Sequence, residues 1–367
     1  MTPVLTRRAL GRATLARQHL LERTDRDVAA LVEHLVGLQA QTPHTWYVGL
    51  WGRIAGFRPE HASDLLEDRS LVRTALMRST IHLVTARDAL GLRPLVAPVI
   101  ERSTKGSFGR HWVGLDRDLV GAAGREILEQ EPVLFSELGR RLAARFPGRD
   151  PAALAQSVRS SEPLVQVTPR GLWGRSGAAA HTTTGAWLGD VAVHPITVDE
   201  MVLRYLGAFG PATVKDAQTW CGLTRLAEVL DRLRPGLMTF ADEDGRELFD
   251  LPDAPRPDPE TPAPPRLLYD YDNLLLSHAD RSRVITDAYV AQNWDPDGTM
   301  PRVVLVDGLT SGTWTVESNR ELANLTVRAL RPLRVADVGG VTLEADALVR
   351  FLAPKSARHE VIVLPPG

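Results

Sequence analysis

Cysteine is almost absent. Cys221 is the single thiol in 367 residues, which excludes a disulfide framework and a thiolate zinc cluster. Lysine is scarce too: of 43 basic residues only Lys105, Lys215 and Lys355 are amines, and the rest are arginine. Chemistry that needs a nucleophilic amine has few side chains to draw on. No apolar run approaches the ~18–20 residues of a membrane-spanning helix, so no membrane partner is expected. The segment Met1-Thr2-Pro3-Val4-Leu5-Thr6-Arg7-Arg8 has two arginines but no apolar core behind them. It reads as a helix entry and not as a secretory leader, and the expected location is cytoplasmic. Phosphate-cradling GxxxxGK-S/T and GxGxxG loops are missing, as is the GxSxG nucleophile elbow. The ten histidines are scattered without metal-ligand spacing. His44, His61 and His82 read as surface or core groups, and neither a metal nor a cofactor is expected.

What is present is an ordinary globular composition, 44% hydrophobic and 24% charged, in a chain long enough for more than one core. The net charge of -2 is unlike the basic excess common in nucleic-acid binders. The arginine bias nevertheless supplies forked cations that suit phosphates and base edges, although GC-rich coding explains most of such a bias.

One pattern recurs three times: short helices, then two strands. The first repeat has helices at Arg7–Leu21, Asp27–Gln39 and Glu60–Glu67, then strands 72–76 and 80–84 joined by Met77-Arg78-Ser79. Val28, Leu31, Leu35 and Leu38 keep helical spacing. The second has helices at 118–129, 136–146 and 151–160, with Ser136 and Asp150 as N-caps. Strands 164–167 and 172–173 follow, around the turn Thr168-Pro169-Arg170-Gly171. The third has helices at 197–206, 214–220 and 226–233 and strands 237–240 and 247–249. Three helices followed by a hairpin is the winged-helix pattern. The expected fold is α+β, with winged-helix units over 1–116, 117–195 and 196–251. Residues 252–266 hold seven prolines and read as a linker. Residues 267–367 carry strand-like runs at 267–271, 284–287, 289–293, 303–307, 312–316, 325–330 and 361–364, with turns at Asp295-Pro296-Asp297-Gly298 and Gly339-Gly340. They read as a C-terminal β-barrel-like domain that completes a C-shaped clamp.

One segment departs from ordinary packing: Gly37-Leu38-Gln39-Ala40-Gln41-Thr42-Pro43-His44. Pro43 disfavours helical geometry at Thr42, so a helix should end near Gln41. Residues i and i+2 point apart on a helix but share a face in extended chain. Gln39 and Gln41 either cap a helix end or turn both amides toward one ligand.

The chain resembles the AlkZ-like DNA glycosylases, tandem winged-helix proteins with a C-terminal β-barrel. The resemblance spans nearly the whole length. It is carried by Gln39-Ala40-Gln41, the stretch from Arg73 to Val84, and Arg170-Gly171-Leu172-Trp173-Gly174. The stretches Tyr205 to Thr213, Leu274 to Arg283 and Val306-Asp307-Gly308 add to it. It implies that Gln39 and Gln41 are catalytic, since the family signature is two glutamines around a small or hydrophobic residue. A sister subgroup has Asp at the second position; Gln41 places this chain with the azinomycin-resistance branch. That branch implies action on double-stranded DNA carrying N7-alkylguanine, including crosslinks made through guanine N7. Alkylation at N7 makes the base cationic and a good leaving group, so little acid assistance is needed, and a glutamine positions water but is no ordinary base.

The DNA-contacting candidates are Arg73, Arg78, His82, Ser103, Thr104 and Lys105 in the first repeat. Arg170, Arg175 and His181 flank the second hairpin, and Arg281, Arg283 and Lys355 sit in the β-domain. Trp112 and Trp173 are either stacking platforms or core. Three unlike units in one chain suggest a monomer whose DNA affinity falls linearly with salt on a log–log plot. Two other readings compete: a non-catalytic winged-helix regulator, and a protein that sequesters the alkylating toxin.

Overall fold

The computed structural model describes residues 2–292 and 300–366. The first part of the chain runs β1 (Val4–Leu5), α1 (Arg7–Arg17), α2 (Val28–His34), β2 (Leu38–Gln39), α3 (Trp46–Trp51), α4 (Pro59–Glu67) and the hairpin β3 (Leu71–Ala75) to β4 (Ile81–Thr85). A 23-residue helix, α5 (Ala86–Phe108), leads to α6 (Arg117–Gln130), β5 (Val133–Leu134), α7 (Phe135–Arg145), α8 (Pro151–Ser161), β6 (Leu164–Gln166), β7 (Ala180–Thr183) and α9 (Thr184–Leu188). The next group is α10 (Val198–Phe209), α11 (Val214–Cys221), α12 (Leu226–Leu233) and the hairpin β8 (Met238–Asp242) to β9 (Glu247–Asp250). Last come β10 (Arg266–Leu268), α13 (Asp287–Val290), β11 (Val303–Val306), β12 (Leu309–Ser318), β13 (Leu322–Ala329), α14 (Val335–Leu352) and β14 (Arg358–Leu364).

Local chemistry explains most boundaries. Thr6, Asp27, Thr85, Asp150 and Thr197 each accept a backbone N–H from the first turn of their helix. Thr213 and Asp216 form a reciprocal capping box on α11, which satisfies two otherwise orphaned donors. Ser136 is not the cap expected of it: the helix starts one residue earlier, with Leu134 at the N-cap and no side-chain bond.

The largest correction near the site concerns the helix expected over Asp27–Gln39. It stops at His34. Val36 and Gly37 then take positive φ of 53° and 93°. A Cβ on Gly37 would lie 2.5 Å from Val84 Cγ1, so glycine alone fits this turn. The chain therefore leaves the helix before Pro43 exerts any effect, and Gln39 pairs with His82 on β4.

The sheets cross the expected repeats. One six-stranded sheet runs β2-β4-β3-β6-β7-β5, with Arg73 opposite Gln166 and Gln166 opposite His181. The hairpins of the first two repeats are thus one sheet. The second hairpin uses β7, whereas Leu172-Trp173 lies in a turn. β1 pairs parallel with β8. The C-terminal strands form an open sheet, β10-β11-β12-β13-β14. Its edge strands do not pair among the described residues, so no closed barrel is found. α14 covers it and carries the chain to the parallel pair β13–β14; Gly339-Gly340 lies inside that helix and is not a turn. Of the strands expected at 284–287 and 289–293, the described part is turn and α13. The turn expected at 295–298 and the residue Asn293 lie outside the described residues.

Among the described residues, four cores of nine or more residues hold this arrangement. The largest joins α2, α3 and α4 to the C-terminal sheet and α14 through Trp46, Tyr47, Tyr269, Trp314 and Leu348. A second packs the other side of the β3–β4 hairpin and α5 against α10–α12. The third belongs to α6–α8 and their strands, and the fourth joins Leu15 and Leu20 to β10 and β11. Among the described residues no helix is long and apolar enough to cross a membrane.

Candidate active site

The segment 37–42 runs extended between the β3–β4 hairpin and the turn that follows β10. Both sides grip it. The Ala40 N–H donates to Ile81 O at 2.7 Å, and Arg73 Nη2 donates to Ala40 O at 2.8 Å. From the other side, Asn273 Oδ1 accepts the Gln39 N–H at 3.1 Å and Asn273 Nδ2 donates to Gly37 O at 2.6 Å. Thr42 Oγ1 donates to Asp270 Oδ2. The turn holding Asn273 is itself tied to the turn after α3, since Asp272 takes two bonds from Arg53 at 2.8 and 2.9 Å.

This grip fixes both glutamine side chains. Gln39 is buried at 3% exposure, and its Oε1 accepts from Arg78 Nη2 at 2.6 Å. Gln41 is exposed, and its Oε1 accepts from the Ile81 N–H at 3.2 Å. The helix expected to reach Gln39 is absent here and the chain is extended instead. Of the two alternatives left open, the helix-end cap drops out. Arg78 sits at the hairpin tip with φ 56°, beside Ser79 at 62°. Left-handed backbone is uncommon for residues bearing a Cβ and costs on the order of 1–3 kcal/mol each. Tertiary bonds hold it here: Arg78 Nη1 donates to Trp220 O at 2.6 Å, and Arg159 Nη2 donates to Ser79 O at 2.7 Å.

The site is electropositive. Arg73 and Arg93 are buried, Arg78 and Arg159 half-buried, and no ion pair is formed by any of the four among the described residues. Burial lowers the guanidinium pKa of Arg73, Arg78 and Arg93 to about 10, so each keeps its charge at neutral pH. Arg73 is also left with Nε and Nη1 unbonded. Asp270 Oδ1 and the Tyr269 hydroxyl are buried without hydrogen-bond partners among the described residues. Arginines without ion-pair partners attract a polyanion.

The candidates fare unequally. Arg73 and Arg78 frame the glutamines, with their terminal nitrogens on internal carbonyls. His82, Thr104 and Arg283 are buried and correct the expectation that they face DNA. His82 bonds Thr80 O, Thr104 bonds Ile100 O, and Arg283 bonds Pro211 O and Thr14 Oγ1. Burial and the neighbouring Arg78 push the His82 pKa down to about 3, so it carries no charge for a phosphate. His181 is also buried, with its pKa lowered to about 4. Ser103, Lys105, Arg175, Arg281 and Lys355 are exposed and Arg170 is half-buried. Trp112 is core, bonded to Ala153 O, and Trp173 packs on Tyr47. Asn273, Asp270 and the clamp on Arg78 were not singled out from sequence; the stretch Leu274 to Arg283 begins one residue too late to mark Asn273.

These histidines predict a pH effect on stability. His82, His181 and His278 are held neutral by burial, at about 3, 4 and 3. Unfolded histidine titrates near ~6.5, so below that pH the unfolded chain takes up protons that the folded chain refuses. Stability is fully present above ~6.5 and falls as pH drops toward the folded values. The urea midpoint should be clearly lower at about pH 4.5 than at about pH 7.5. An unchanged midpoint would show that these rings protonate freely in the fold.

Comparison with known proteins adds independent findings. A family model described as DNA glycosylase AlkZ-like matches residues 32–351. An interstrand DNA cross-link repair glycosylase from Streptomyces sahachiroi is 26% identical over 325 residues, covering 82% of this chain and 85% of that protein. The solved structure of the Streptomyces sahachiroi DNA glycosylase AlkZ superposes with a TM-score of 0.78 at 22% identity, over 98% of this chain and all of the other. At that identity the structural likeness speaks for a shared fold.

Proposed function

Since the chain belongs to the AlkZ-like family of DNA glycosylases, and is therefore a DNA glycosylase, we propose that it hydrolyses the glycosidic bond of N7-alkylguanine in double-stranded DNA and unhooks guanine-N7-linked interstrand crosslinks. The observation that carries this reading is the pair Gln39 and Gln41, pinned on extended chain beside arginines that no carboxylate neutralises. A cationic N7-alkylated base already departs readily, so the enzyme's task is to place the base, the sugar and a water. Cleavage builds oxocarbenium character at C1′, which water captures. Ser103, Lys105, Arg170, Arg175, Arg281 and Lys355 are proposed to hold the phosphate backbone. The three helix-and-hairpin units are proposed to act as winged helices in one monomeric clamp.

Water is proposed as the nucleophile. Lys105, Lys215 and Lys355 are all exposed, and no hydrogen bond links any of them to Gln39 or Gln41. Amine catalysis calls for a desolvated lysine against the sugar. Duplex DNA carrying N7-methylguanine should release free base and leave an alkali-labile abasic site. A crosslink should lose one glycosidic bond, leaving an abasic site on one strand and a mono-adduct on the other. Borohydride should trap no covalent protein–DNA adduct. Efficient trapping that Lys105→Ala abolishes would replace water by an amine, and no release of base from any alkylated duplex would remove the substrate assignment.

A further inference from the structure

An amide has a donor end and an acceptor end, and the end left free decides what it recognises. At Gln39 the partner is a guanidinium N–H, and at Gln41 it is a peptide N–H. Both partners can only donate. Reversing either amide would set donor against donor, so the orientation follows from chemistry. Both Oε1 atoms are thereby committed to the β3–β4 hairpin. Neither Nε2 makes a hydrogen bond among the described residues.

We infer that Gln39 and Gln41 meet the damaged nucleotide as hydrogen-bond donors, and that Arg78 is the positioning residue that sets this polarity at Gln39. This rests on the glycosylase reading above and adds to it the direction of the bonds and a role for Arg78 other than phosphate contact. Arg78 reaches Gln39 from a strained left-handed backbone, with its second terminal nitrogen fixed on Trp220 O. Its charge makes the 2.6 Å bond a strong one. Drawing electron density toward Oε1 leaves the Nε2 hydrogens better donors.

Donors suit this leaving group. Guanine N7 carries the alkyl group, which leaves O6 and N3 as acceptors. When the C1′–N9 bond breaks, its electron pair moves onto the base and cancels the imidazolium charge. Water oxygen bonds to C1′ and its proton passes to solvent. Electron density at O6 and N3 rises as the pair arrives, so a donor placed there binds the transition state more tightly than the ground state.

Glutamate substitutions separate donor from acceptor. Gln39→Glu and Gln41→Glu keep the oxygens and delete the Nε2 hydrogens, and Glu at position 39 gains an ion pair with Arg78. Single-turnover release of N7-methylguanine should fall by at least as much as in the alanine variants, with the melting temperature of Gln39→Glu at or above wild type. A rate for Gln39→Glu equal to or above wild type would show that an acceptor is needed and would overturn the inference. For Arg78, excision should drop about tenfold or more in Arg78→Met and recover substantially in Arg78→Lys, which keeps one donor. The log–log salt slope of DNA affinity should not change. A slope shallower by about 0.9 in Arg78→Met would mark a lost phosphate contact and overturn the positioning role. Should Arg78→Met not fold, the glutamate rates decide. Failure of the glycosylase reading looks different, because the wild type itself would release no base.

Discussion

Gln39→Ala and Gln41→Ala should each slow single-turnover excision by about 10²–10³, the usual cost of removing one preorganised donor, while DNA affinity stays nearly constant. The two variants should differ in stability. Truncating Gln39 leaves Arg78 Nη2 without its 2.6 Å acceptor in a half-buried setting, a loss of about 1–3 kcal/mol. Gln41 is exposed and gives up one bond to the Ile81 N–H, worth about 0.5–1.5 kcal/mol. Quench-flow release of labelled base, with urea unfolding on the same samples, reads both quantities. Wild-type rates in both variants would remove the glutamines from the reaction centre. A rate loss that scales with stability loss would reduce their role to packing.

Asp272→Ala should cost about 3–5 kcal/mol, because it strands a buried cation. Arg53 and Asp272 have side chains with no exposed surface and share bonds at 2.8 and 2.9 Å. Gly49 O and Gln18 Oε1 also accept from Arg53, but both are neutral, its Nε lacks a partner, and no second carboxylate pairs with it among the described residues. Asp272 also accepts the Leu274 N–H at 3.0 Å and so shapes the turn that carries Asn273. Excision should therefore weaken along with stability, since Asn273 holds the backbone of Gly37 and Gln39. The double replacement Arg53→Met with Asp272→Leu should be much milder for stability, because it removes both charges together. A cost below about 1 kcal/mol for Asp272→Ala would mean that water reaches the guanidinium.

Much of the helical framework is written in local signals. α8 begins at the Asp150 cap with Pro151 in its first turn, and α10–α12 follow apolar spacing closely. Signals that contradict their context misled. Pro94 and Pro98 hide α5, which tolerates them inside a helix started by the Thr85 cap. Gly339-Gly340 hides α14, where burial against the C-terminal sheet outweighs a cost of ~1 kcal/mol per glycine. β7 escaped notice because Leu172-Trp173 is more apolar than Ala180–Thr183. At the site, Gln39 and Gln41 stand out through spacing and family resemblance. Their orientation does not, because it is set by Arg78 through a backbone geometry no propensity favours. Asn273, Asp270 and Trp220 are far away in sequence, so only the folded chain brings them in.

The core shared by residues 28–83 and 267–353 has a consequence during synthesis. Trp46, Tyr47 and the apolar side of α2–α4 leave the ribosome well before β10, β12 and α14 exist to cover them. At ~5–20 residues per second, that interval is on the order of 10–60 s. For that time the nascent chain displays a sticky surface that is buried mainly by residues 267–353. Emergence of residues 267–353, and not the completion of each helix-and-hairpin unit, is then the event that makes this part of the protein aggregation-resistant.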